Sequence, residues 1–335
     1  MAGRLRLRRS DPRRPGFGRQ RSGRGWRYFD TAGQPLREPA EVERIKGLVI
    51  PPAWQEVWIC PFANGHIQAV GTDTAGRRQY LYHPAWRERR DAEKHDRVLR
   101  LARRLPAFRS TVDEDLCTRG LTERRVLAGA LRMLDRGVFR TGGDEYAEES
   151  RGVATLLCGD VTVRHGEIHF DYIAKGGVER RLRIRDDRLA PLVSALRRGR
   201  PDDDRLLVYR KGKVACPVRA EDVNARLREI VGPDFTAKDL RTWHATVLAA
   251  VIIAGQDAPT SQAALRRVEK SVMKDVAEQL GNTPAVARRS YVDPRVLTAF
   301  EEGRTIDRTL HRVARKPMEE ARPEIERAVI RLLKA

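Results

Sequence analysis

At about residue 88 the chain changes texture, and that change limits the folds open to it. From Trp26 to Glu88 the sequence is rich in Pro, Gly, Trp and Tyr, with short apolar runs such as Val57-Trp-Ile59 and Tyr80-Leu-Tyr82. Pro51-Pro52, Asn64-Gly65 and Ala75-Gly76 punctuate those runs as turns punctuate strands, and Asn64-Gly65 has the composition of a hairpin turn. Beyond residue 88 the apolar positions recur at helical spacing. Val98, Leu101, Ala102 and Leu105 share one face, and Val126, Leu127, Ala130, Leu131 and Leu134 share another. A chain patterned in this way cannot bury both halves in one uniform layer. The reading is an α+β protein: a basic, disordered tail (1–25), a small mostly-β amino-terminal domain (26–88) and a larger, mainly helical domain (89–335).

Within the helical part a small sheet intervenes. Ala154–Leu157, Glu167–Ile173 and Val178–Ile184 read as three antiparallel strands, the middle one alternating Ile168, Phe170 and Tyr172 with His169 and Asp171. Ala174-Lys175-Gly176-Gly177 then places Lys175 at a hairpin tip. Helical patterns follow at Leu189–Arg197, Glu221–Ile230, Lys238–Ile253 and Ala263–Leu280, with further helices from Pro284 and from about Pro323.

Charge narrows the partner. With 66 basic and 46 acidic residues in 335, the formal net charge is +20, a field that attracts polyanions before any specific contact forms. Nine arginines against Asp11 in the first 25 residues leave most of the excess on the remainder of the chain. Nucleic acid is therefore the expected partner. No apolar signal segment follows the basic start, and the longest apolar stretch, near Val247–Ala254, is too short for the roughly 20 residues that span a bilayer. Neither secretion nor a membrane is expected. The four cysteines show no C-x-x-C spacing and the seven histidines no ligand pattern, so no metal or other cofactor is expected.

Several local signals carry chemistry only in combination. Thr236-Ala-Lys-Asp239 reads as a capping box that sets Arg241 on the first turns of an apolar helix. Gly281 ends one helix, and Thr283 with Pro284 starts the next, placing Tyr291 about two turns in. Arg140 follows Gly137-Val-Phe139 at a helix-to-loop boundary. Arg288 and Arg289 read as a solvated or DNA-backbone face, and His244 as packed beside Trp243.

The order Arg140, Lys175, Arg241, Tyr291 resembles the type IB DNA topoisomerases, especially the short bacterial and poxvirus-type enzymes. The strings that carry the likeness are Pro51-Pro-Ala-Trp54 with Gln79-Tyr-Leu-Tyr82, Phe139-Arg-Thr-Gly142, Lys238-Asp-Leu-Arg-Thr242, and Asn282-Thr-Pro284 leading to Ser290-Tyr291. The resemblance implies that Tyr291 attacks a phosphodiester to form a 3′-phosphotyrosyl bond, with Arg140 and Arg241 gripping the non-bridging oxygens. Lys175 would deliver a proton to the departing 5′ oxygen, a task for which arginine is too weakly acidic. Supercoils would then relax by strand rotation, without ATP or a required metal.

Asn282 departs from the His that poxvirus-type and eukaryotic members carry nine residues before the nucleophile. It can donate a hydrogen bond to phosphate but supplies no charge. The same resemblance puts Gln79, Tyr80, Tyr82 and Lys238 against DNA, with the β domain closing over one face of the duplex. It also implies a monomer in the bacterial cytoplasm, associated with the nucleoid. The tyrosine recombinases share the Arg, Lys, Arg, Tyr constellation but usually carry His-x-x-Arg where this chain has Lys238-Asp-Leu-Arg241. A DNA-binding protein whose site has decayed is the remaining alternative.

Overall fold

The computed structural model describes residues 6–334 apart from 138 and 149. The chain divides into two compact units, 1–94 and 95–335.

The first unit contains strands β1 (Gly18–Ser22) and β2 (Gly25–Phe29), helix α1 (Pro39–Gly47), and strands β3 (Gln55–Ile59), β4 (Ile67–Thr72) and β5 (Arg78–Tyr82). β1 pairs with β2, and β3-β4-β5 form an antiparallel sheet around Ile45, Ile50, Ile59 and Ala69. The Asn64-Gly65 turn lies in the β3–β4 connection, as its composition suggests. α1 is not expected from the sequence, since its apolar residues are few and its exit, Gly47-Leu-Val-Ile50, reads as a short apolar run.

From residue 6 on, the basic segment read as a disordered tail is instead built into this unit, and residues 1–5 of that reading lie outside the described residues. Phe17 and Ile59 exchange both backbone hydrogen bonds at 2.8 Å, and Arg8 bonds Asn64 and His66 through its backbone. Arg19 caps the carbonyls of Ile50, Pro51 and Trp54 at 3.0, 2.6 and 3.1 Å and lies over the Trp26 ring. An arginine satisfied by three carbonyls acts as a structural tie, which composition alone does not reveal.

Helix α2 (Pro84–Leu116) begins before residue 88, so the change of texture falls inside an element, and the division between units lies at 94–95. It continues through Pro106 because its buried stripe, from Val98 through Leu105 to Phe108 and Leu116, is continuous across the proline. Burial here outweighs the one lost hydrogen bond.

The second unit continues with α3 (Glu123–Gly137), the strands β6 (Val161–Arg164), β7 (Glu167–Ala174) and β8 (Val178–Arg185), and helix α4 (Leu189–Arg197). The short hairpin β9 (Val208–Lys211) and β10 (Val214–Pro217) precedes α5 (Ala220–Val231), α6 (Ala237–Ala254) and α7 (Gln262–Leu280). After these come α8 (Pro284–Val286), α9 (Arg295–Glu301), α10 (Asp307–Val313) and α11 (Met318–Leu332). The three-stranded antiparallel sheet is present in the order β6-β7-β8. Its first strand is Val161–Arg164 and not Ala154–Leu157. Val153–Thr155 instead forms a buried 3-10 turn whose backbone bonds Arg140 and Thr141, so its apolar residues pin a loop. α11 starts five residues before Pro323, which the helix accommodates in its second turn.

A buried ionic cluster ties α2, α3, α6 and α11 together. The Asp135 carboxylate accepts from Arg109 at 2.9 Å and from Arg322 at 2.8 Å, with His244 Nε2 at 3.3 Å, while Glu326 accepts from the same two arginines. Burial alone would raise the Asp135 carboxyl, but Arg322, Arg109 and His244 outweigh it and hold it well below the usual carboxylate range. His244 thus belongs to this cluster as well as to the helix that bears Trp243. Removing one member leaves the other charges buried and uncompensated. Asp135→Ala is therefore expected to destabilise the protein by about 3–5 kcal/mol, measured by urea denaturation; a loss under about 1 kcal/mol would show that the cluster is dispensable.

Candidate active site

The site is assembled around the carboxyl end of α7. Its last carbonyls lie beyond the regular ladder, Glu278 O accepting from Gly281 N at 3.1 Å, and carry the negative end of the helix dipole. Three guanidiniums from three elements take them up. Arg180 on β8 donates to Glu278 O at 3.0 Å and Gln279 O at 2.7 Å, Arg241 on α6 donates to Leu280 O, and Arg140, after α3, approaches Gly281 O at 3.4 Å. Arg140 also donates to Asn282 Oδ1. Two residues predicted from sequence, 142 positions apart, are thereby in direct contact.

Local sequence explains each placement. The Asp239 carboxylate accepts from Thr236 N at 3.0 Å, the reach back expected of the capping box, and from the Thr236 hydroxyl at 2.9 Å, and it also holds Arg97 at 2.7 Å. That fixes the start of α6 and puts Arg241 on its inward face, 5 % exposed. Phe139 stacks on Tyr172 at 5.7 Å and meets Phe170 edge-on at 4.9 Å, anchoring the backbone beside Arg140. Gly142 and Gly152 pack backbone to backbone here: a Cβ on Gly142 would lie 2.9 Å from Gly152 Cα.

Tyr291 departs from the expected place two turns into a helix. Only Pro284–Val286 is α-helical; Ala287–Tyr291 is a π-helical turn closed by Val292 N to Ala287 O at 3.0 Å. Thr283 does cap the start, accepting from Val286 N at 3.3 Å. The wider turn makes Tyr291 its last residue, after which the backbone becomes extended. Thr246 of α6 pins this exit, donating to Tyr291 O at 3.3 Å and accepting from Asp293 N at 3.1 Å.

Tyr291 is 8 % exposed, and the Arg241 guanidinium lies 5.4 Å from its ring centre. Burial, followed by the like charges of Arg140 and Arg180, pulls Arg241 down to about 10 against the opposing effect of Tyr291. It stays cationic at neutral pH. Tyr172, paired across the sheet with Arg180, is raised by burial despite the positive groups around it, so its hydroxyl stays protonated.

Arg140, Arg241, Asn282 and Tyr291 are thus joined by the contacts around this one helix end. Lys175 is exposed at the β7–β8 tip, where Gly176 and Gly177 both have positive φ. Its hairpin enters the site through Tyr172 and Arg180, two residues that the motif reading did not single out. The signal was there: Arg180, Leu182 and Ile184 alternate along one face of β8.

Of the residues expected to contact DNA, Lys238 is exposed on the first turn of α6. Tyr80 and Tyr82 are not core. They are 41 % and 39 % exposed and stack at 6.1 Å on the open face of β5, while Gln79 donates to Asp73 at 2.9 Å. Arg288 and Arg289 are exposed, the former paired with Glu269.

A buried tyrosine held against an arginine, with a second arginine and an amide on the adjoining helix end, is the equipment of an enzyme that transfers phosphodiesters through tyrosine. Residues 83–315 match the eukaryotic DNA topoisomerase I catalytic core, and residues 25–73 match the bacterial DNA topoisomerase IB amino-terminal domain. The DNA topoisomerase 1B of Acanthamoeba polyphaga mimivirus is 28 % identical over 287 residues, 83 % of this chain and 85 % of the relative. The chain belongs to the DNA topoisomerase I family and is a type IB enzyme, an isomerase of DNA topology. Both matched families are topoisomerases, which favours that activity over strand exchange by a recombinase. Among the described residues no helix is long and apolar enough to cross a membrane.

The turn that carries Asn282 depends on Gly281, whose φ is +59° and whose added Cβ would stand 3.2 Å from Arg180 Cδ. Gly281→Ala is expected to lower the unfolding free energy by about 1–2 kcal/mol in urea titration. Unchanged stability would contradict the left-handed turn.

Proposed function

We propose that Tyr291 is the nucleophile of this topoisomerase and that Arg140, Arg241, Asn282 and Lys175 are its catalytic partners. The observation that carries the assignment is the convergence of Arg241 on the Tyr291 ring and of Arg140 on Asn282 at one helix end. The phenol oxygen bonds to the scissile phosphorus as the P–O5′ bond breaks, giving a 3′-phosphotyrosyl link. Arg140 and Arg241 stabilise the charge that develops on the non-bridging oxygens, and Asn282 adds a neutral donor. Lys175, on its flexible exposed stem, protonates the leaving 5′ oxygen.

Religation reverses these steps after the free end has rotated, with the 5′ hydroxyl attacking and the phenol leaving. One phosphodiester is exchanged for another, so bond energy is conserved and ATP is unnecessary. The guanidiniums supply the positive charge that a divalent ion supplies in other phosphoryl-transfer sites.

The stacked pair Tyr80 and Tyr82 packs against sugars or bases, Gln79 is oriented by Asp73 beside them, and Lys238 meets the backbone near the cleavage site. The enzyme acts as a monomer on DNA associated with the bacterial nucleoid.

Relaxation of a supercoiled plasmid in EDTA without ATP tests the scheme. Tyr291→Phe is expected to abolish both relaxation and the covalent adduct; a variant as active as the parent would remove Tyr291 as nucleophile and leave the decayed or misassigned site as the reading. Lys175→Ala is expected to slow cleavage about 10²–10⁴-fold on ordinary DNA. It should recover on a substrate whose bridging 5′ oxygen is replaced by sulfur, which leaves without a proton. Equal slowing on both substrates would reject the proton-donor role.

A further inference from the structure

Alternation along β8 turns Arg180 inward and Glu179 and Arg181 outward, while Val178, on the same face as Arg180, is exposed at the start of the strand. It is therefore the last buried side chain of that strand before the tip that bears Lys175. Outside it the hairpin is held by the buried Ala174 and by Arg151 N, which donates to Ile173 O at 2.7 Å, whereas Ile173 and Val178 are well exposed and Gly176 and Gly177 add freedom. Something must set where this tip stands relative to Tyr291. Tyr172 lies opposite Arg180 in the ladder, and this inward pair stands just below the outward pair Ile173 and Glu179.

Both terminal nitrogens of Arg180 are committed to carbonyls at the end of α7, at 3.0 and 2.7 Å. The same helix end receives Arg241 at Leu280 and leads directly into Asn282. The planar fork can bridge successive carbonyls in a way that a single ammonium cannot. Both terminal nitrogens of Arg180 are engaged by the frame, which leaves Arg140 and Arg241 as the guanidiniums assigned to the phosphate.

We propose that Arg180 is a positioning residue that fastens the Lys175 hairpin to the carboxyl end of α7, so that the proton donor and the phosphate-binding groups share one frame. The proposal rests on Lys175 as the proton donor. Arg180 touches neither phosphate nor leaving group and acts through the placement of Lys175.

The test is single-turnover cleavage by Arg180→Met and Arg180→Lys on two substrates, ordinary DNA and DNA with sulfur at the bridging 5′ position. Arg180→Met is expected to cleave ordinary DNA at least about tenfold more slowly and the sulfur substrate within about threefold of the parent enzyme. Arg180→Lys should lie between, since its ammonium can reach one of the two carbonyls. If the methionine variant does not fold, the lysine variant supports the same comparison. The double variant Arg180→Met/Lys175→Ala should be no slower than Lys175→Ala alone, the non-additivity expected of residues acting as one unit. Equal slowing on both substrates, or full additivity with Lys175→Ala, would overturn the anchor even where Lys175→Ala is itself rescued by sulfur. Failure of sulfur to rescue Lys175→Ala would overturn the proton-donor assignment and this proposal with it.

Discussion

The site depends on a helix ending. Four consecutive carbonyls, from Glu278 to Gly281, are approached by the guanidiniums of Arg180, Arg241 and Arg140, which come from a strand, a helix and a loop. Three cations crowded into a buried space repel one another, and the lowered pKa of Arg241 records both the burial and that repulsion. Carbonyl dipoles offset this cost without cancelling the charge, which carboxylates would do. The charge stays available to a phosphate, the group that a phosphodiester-transferring enzyme must hold as negative charge grows on it.

The rest of the second unit keeps the pieces at this ending. The 3-10 turn at Val153–Thr155 fixes the backbone of Arg140, the capping box fixes Arg241, and Thr246 fixes the exit of the π-helical turn behind Tyr291. The Asp135 cluster locks α11 onto α3 and α6 from the far end of the α6 segment that starts with Arg241. Each of these devices uses a short-range rule of sequence to settle a long-range position.

That division explains what could be read in advance. The capping box, the left-handed Gly281, the Thr283 cap and the alternating strands are local, so they were legible, as was the α+β class. The family motifs named Arg140, Arg241, Asn282 and Tyr291, and the structure joins them around the end of α7. Residues 6–25 were misread because the eight arginines among them signal solvation by composition, whereas Arg19 is engaged by three carbonyls that only the folded chain assembles. Ala154–Leu157 was misread because a short apolar run is the same in a strand and in a buried turn. The π-helical turn has no sequence signature, since it reflects tertiary contacts at Thr246 and Asp293. Arg180 lay on an inward-facing alternation, yet a buried arginine needs partners, and its partners are backbone atoms about a hundred residues away.

Because the acceptors at the end of α7 are main-chain oxygens, they survive any replacement of the side chains at Glu278, Gln279 or Leu280 that preserves the helix. Sequence drift is therefore tolerated unequally across the centre: the receiving half is encoded by backbone shape and is nearly indifferent to residue identity, while the donating half is encoded letter by letter in three arginines. Descendants of this chain should vary freely along one side of the same contacts and hardly at all along the other.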